Sequence, residues 1–209
     1  MDNCITTNSW TVFPNSAIAP FKNPCIELSA ITVKLFPKLM QLILKDCINP
    51  KGLNAKFKNN DIKVAFTADD FSLMSKLPKI EDFTVSLCYK ILRYEKLIDE
   101  PKCKWGNIPD DTHVEISDDI LRILLIGNEL ITKLQGNIAN DYYIKTKQKI
   151  ESIICRVDRY LDSDNNTCHE LYRSICDSKY DAYACLQILK NLPTVQVLST
   201  MPLDSLQIR

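Results

Sequence analysis

The 209-residue sequence holds 26 basic and 26 acidic residues, with 45% hydrophobic residues. This balance suits one sizeable globular core and excludes a global electrostatic pull toward nucleic acid or anionic lipid. Four glycines in the whole chain argue against a sheet-rich fold full of tight turns.

Residues 1–26 mix Asn, Thr, Ser and Pro without a helical period and read as an extended leader. From Glu27 to about Cys47, Leu28, Ile31, Val33, Leu35, Leu39, Leu42, Ile43 and Leu44 suit a helix, which Pro37 should kink or split because it removes a backbone donor. The stretch INPKGLNAKFKNND reads as a loop around a short helix. Thr67 then caps ADDFSLMSKL, with Asp69 and Asp70 in the first turn, and Pro78 ends it. Asp82 or Thr84 opens the next helix, in which Phe83, Leu87, Cys88, Ile91, Leu92 and Leu97 recur at three and four. The polar segment DEPKCKWGNIPDDTHVEI is a long loop, and Trp105 is its expected anchor.

Ser117 begins SDDILRILLIGNELITKLQ, with Asp118 and Asp119 in its first turn. Apolar residues surround this helix almost completely, the mark of a buried central element. A long helix follows from about Asp141 to Leu161, with Ile150, Ile153, Ile154, Val157 and Leu161 as its stripe. Thr167 and Glu170 read as a capping box before HELYRSIC, and a last helix covers YDAYACLQILKNL up to Pro193. The fold class is all-α, with a main bundle over 27–162, a helical extension over 163–193 and a tail over 194–209.

The N-terminus lacks a basic stretch followed by an apolar one, so no secretory signal is expected, and the protein reads as cytoplasmic. Its nine cysteines, odd in number and without a CxxC pair, are then expected to be free thiols. Several, such as Cys88 and Cys155, lie at apolar helix positions. No apolar stretch is long enough to span a bilayer, so no membrane partner is expected.

The ordered features of 80–133 carry a resemblance. Asp82, Leu87, Ile91, Leu92 and Arg93 lie on one helix pattern. Trp105, Gly106 and Pro109 follow in the loop. Ser117, Asp119, Ile120, Arg122, Ile123, Asn128 and Glu129 mark the second helix. Together they resemble the HEPN-like domain found in ubiquitin ligases of the DAZ-interacting zinc-finger type, over roughly residues 27–160. The resemblance implies a HEPN-like helical bundle. It also implies a motif R-N-x-x-x-x-H, whose Arg and His, in HEPN ribonucleases, meet across a two-protomer cleft to handle phosphate charge and protons. Here Gly127 stands at the arginine position, Asn128 follows it, and Lys133 stands at the histidine position. Glycine offers phosphate no donor, and lysine, with an ordinary pKa of about 10.4, keeps its proton near neutrality.

The expectation is therefore a non-catalytic interaction and assembly module, with no catalytic residue, cofactor or metal. Its partners would be proteins, in innate-immune or ubiquitin-linked assemblies, and it would form a homodimer through a close contact around Gly127 and Ile131. The alternative is an RNA-binding HEPN protein or residual ribonuclease. Asp118 with Arg122, and Glu129 with Lys133, are expected to be solvated i,i+4 ion pairs. Cys168, His169, Cys176 and Cys185 have poor spacing for zinc and read as core thiols. His113 stands alone in an acidic loop. The basic residues Lys145, Lys147, Lys149, Arg156 and Arg159, interrupted by Glu151 and Asp158, read as a plain helix surface.

Overall fold

The computed structural model describes residues 23–59, 66–133, 138–162 and 167–192. The tail over 194–209, Pro193, most of the leader and residues 60–65 lie outside the described residues. Within them the chain is helical and contains no strand. No helix there is long and apolar enough to cross a membrane.

The first helix begins earlier than expected. Asn23 accepts a hydrogen bond from the Cys25 amide at 2.9 Å, Pro24 takes a first-turn position where no donor is needed, and α1 runs Pro24–Ala30. Pro37 neither breaks nor ends the helix that follows. The backbone widens into a π-helical turn, Ile31–Leu35, in which the Phe36 amide donates to the Ile31 carbonyl, and α2 (Phe36–Cys47) then starts with Pro37 in its first turn. The wider turn accommodates the missing donor and the ring of Pro37. Ser29 and Thr32, buried on this rod, donate their hydroxyls to the carbonyls of Cys25 and Leu28.

The segment expected to be a loop around a short helix holds a longer helix than that, α3 (Pro50–Asn59). Its Leu53 is fully buried. Thr67 and Asp70 form a reciprocal capping box that opens α4 (Ala68–Met74). Thr84 caps α5 (Val85–Tyr94). Gln41 of α2 reaches the turn just before α5 and donates to the carbonyls of Glu81 and Phe83, both at 2.9 Å. The central helix α6 (Ile116–Lys133) is followed by α7 (Asn140–Tyr160), α8 (Thr167–Asp177) and α9 (Ala182–Lys190).

Packing follows the apolar stripes. α2 lies on α5 and α6, α5 on α6, and α7 on both α6 and α8. Phe36, Leu39, Ile43, Leu87, Ile91, Ile120, Ile123, Leu130, Ile153 and Val157 are at most 1% exposed and share one core. Each such side chain contributes roughly 1.5–3 kcal/mol on removal from water. α8 and α9 belong to that same core: Cys168, Tyr172, Ile175 and Ile188 are buried in it, and α9 packs on α1. Cys155 departs from its expected place and faces solvent.

Candidate functional site

On the motif-bearing end of α6, the arginine position is covered from within the chain. Gly127 is buried, and a Cβ there would meet the Phe36 ring at 3.6 Å. The space expected to receive a second copy around Gly127 is thus filled by this chain's own Phe36. Asn128 is half-buried, and its carbonyl accepts the Thr132 hydroxyl at 3.1 Å. Lys133 is exposed, 3.8 Å from Glu129 and 4.6 Å from the centre of the Tyr142 ring. The expected Glu129–Lys133 pair is therefore present and solvated, worth at most a few tenths of a kcal/mol.

The start of α6 is arranged differently from the expected solvated ion pairing. Arg122 pairs with Asp119, not Asp118, at 2.9 Å, and its side chain is mostly covered. Its other terminal nitrogen donates to the carbonyls of Asp110 and His113 at 2.6 and 2.5 Å. Arg156 reaches the same Asp119 from α7 with bonds of 2.6 and 2.7 Å. Asp119 is 0% exposed and serves two guanidinium groups, so this is a buried charge cluster that fixes α7 and the long loop on α6. The Asp119 hydrogen bond is the leading cause that raises the Arg156 pKa.

Asp118, also 0% exposed, turns to the loop instead: it accepts the Lys102 amide at 3.1 Å and the Glu115 amide at 3.2 Å. Trp105 is the anchor of the loop. Its ring meets Tyr89 edge-on at 5.6 Å, and Arg93 lies 5.7 Å from its centre while donating to the Tyr89 hydroxyl at 3.0 Å. Gly106, with φ of 89°, supplies the left-handed turn after it. Asp82 is exposed and pairs with Lys76, apart from this assembly.

His113 is not isolated. Ligating atoms of Cys103, His113 and Asp118 lie within 4.8 Å of one another. Burial and the Asp118 carboxylate push the Cys103 thiol up, the opposite of what an activated nucleophile needs. The group at Cys168, His169, Cys176 and Cys185 does not converge in this way. Cys168 is buried, and its amide and that of His169 donate to Asp158 of α7 at 2.9 and 3.0 Å.

The basic residues of α7 are largely committed. Lys147 pairs with buried Glu27 at 2.8 Å, Lys145 with Asp141 at 2.9 Å, and Arg156 with Asp119. Asp158, far from interrupting a surface stripe, is buried beneath the first turn of α8. Sequence reading missed the Arg156–Asp119 and Lys147–Glu27 pairs because their members lie far apart in the chain. Compared with protein-family models, curated proteins and solved structures, the chain matches none.

Proposed function

We infer that the chain is a non-catalytic, HEPN-like module whose partners are proteins, in assemblies of the innate-immune or ubiquitin-linked kind. The observation that carries this reading is Gly127 packed under Phe36, where the resembled ribonucleases hold a phosphate-binding arginine. A position sealed by an aromatic ring offers no charge to a scissile phosphate. The commitment of Lys147 and Arg156 to buried carboxylates likewise leaves less positive surface for an RNA backbone.

Protein partnership draws support from α9. Tyr183 and Leu186, three residues apart on one side of the helix, are 70% and 55% exposed, while Ile188 faces the core. Exposed aromatic and aliphatic residues grouped in this way mark contact surfaces more often than nucleic-acid sites. A homodimer, in this reading, forms away from Gly127.

The test combines two measurements on the purified chain. Single-stranded RNA should remain intact and unbound at micromolar protein. Partners recovered from the native cells should be lost when Tyr183→Asp and Leu186→Asp are combined. Cleavage that follows the protein's elution profile through repurification would overturn the reading.

A further inference from the structure

We propose that Cys103, His113 and Asp118 form a zinc-binding site that clips the long loop onto the start of α6. The three come from separate places, one in the turn before Trp105, one at the far end of the loop and one in the first turn of the helix. Their ligating atoms nevertheless gather within 4.8 Å. Donors around a tetrahedral zinc stand roughly 3.5 Å apart, so the site must contract by about an ångström. The parts that would move are half-buried loop side chains, while Asp118 is fixed in the helix.

The donor set selects the metal. A sulfur, an imidazole nitrogen and one carboxylate suit zinc and disfavour magnesium or calcium, which take oxygen ligands. The thiol bonds the metal as thiolate and gives its proton to solvent, and the charges of thiolate and carboxylate together balance those of Zn(II). Three protein ligands leave the fourth position to water.

The surroundings fit a metal site. The hydrogen bonds of all three side chains go to backbone groups. Asp118 accepts two amides, one on each oxygen, which orient the carboxylate and leave a further lone pair on each. The Cys103 sulfur makes long contacts of 3.4 and 3.7 Å to the carbonyls of Lys104 and Asn107. His113 Nδ1 accepts the Asp110 amide at 3.2 Å, a long bond to an exposed residue that water replaces when the imidazole turns to metal. Arg122 holds the carbonyls of Asp110 and His113, so the turn carrying the imidazole is already pinned over α6.

The experiment uses the full chain, stripped with a chelator and then titrated with zinc against a chromophoric competitor, and separately with cobalt(II). One zinc per chain is expected, together with a thiolate-to-cobalt charge-transfer absorption. Cys103→Ser should abolish that absorption. His113→Gln should weaken zinc binding about tenfold or more. Cys155→Ser, a change at an exposed thiol on another helix, should alter neither. Circular dichroism checks that each variant keeps its helix content, as expected for half-buried positions on a loop. Failure to bind zinc, or binding and absorption that survive Cys103→Ser, would overturn the proposal.

Discussion

Arg156, on α7, grips Asp119, at the start of α6, with two hydrogen bonds of 2.6 and 2.7 Å across 37 residues of sequence. Because Arg122 shares the same carboxylate and also holds the loop carbonyls, one buried charge ties together two helices and the loop. Removing it would leave two guanidinium groups facing each other with no counter-charge. Asp119→Ala should therefore destabilise the fold by about 3–5 kcal/mol, the cost typical of breaking a buried pair. Urea unfolding measures this, and a loss under about 1 kcal/mol would show that the cluster is mere surface decoration. Arg156→Met, which removes one of the two cations, should cost less.

Stability should fall on acidification through two further carboxylates. Burial alone would raise the Asp70 carboxyl, but Lys90 at 2.6 Å and the Thr67 amide and hydroxyl hold it below its ordinary 3.8. Burial likewise acts against Glu27, and Lys147 with Tyr143 brings it below its ordinary 4.5. A carboxylate depressed in the folded state adds stability that is complete above the unfolded value and is lost as pH falls through the folded one. Unfolding free energy should thus be flat down to about pH 4.5 from these groups and then drop. Asp70→Asn, followed by chemical denaturation at several pH values, should shallow that drop, and an unchanged slope would refute the assignment.

What was legible in the sequence was whatever depends on neighbours along the chain. Thr67, Thr84, the apolar surround of α6 and the stripe of α7 all express local periodicity or capping, and they stand where expected. What was hidden depends on contacts made in three dimensions. The i,i+4 spacing favoured Asp118 for Arg122, but Asp118 is taken by loop amides and Arg122 turns to Asp119. The spacing C-x9-H-x4-D belongs to no familiar metal pattern, so only the folded loop brings Cys103, His113 and Asp118 together. Pro37 misled for a different reason: a π turn is a backbone response that residue pattern does not announce.

The thiols should separate by reactivity. The described cysteines are all free, and burial pushes Cys88 far up and Cys168 up to about 12. Alkylation of the native protein should modify exposed Cys155 quickly while Cys88 and Cys168 wait for opening of the fold. In denaturant without reductant, all nine cysteines should react. Mass spectrometry of digested, timed samples reads both, and early labelling of Cys88 would place that helix face outside the core.

Gly127 offers the sharpest comparison, because two substitutions there should act in opposite directions. It lies within α6 at a helical backbone position, where glycine costs about 1 kcal/mol relative to alanine. A Cβ would stand 3.6 and 3.9 Å from two ring carbons of Phe36, ordinary contact with no overlap. Gly127→Ala should therefore stabilise the protein by about 0.5–1 kcal/mol, since it gains helix propensity and fills no occupied space. Gly127→Arg, which restores the residue type of the resembled motif, must push a charged chain into the buried contact with Phe36 or displace α2. It should destabilise by at least about 2 kcal/mol. Thermal melts and light scattering on the same samples distinguish this from a contact between copies. If Gly127 lay at a symmetric interface, the arginine would convert dimer to monomer with little loss of monomer stability. If Phe36 covers it, the fold itself weakens, and that is the expected result.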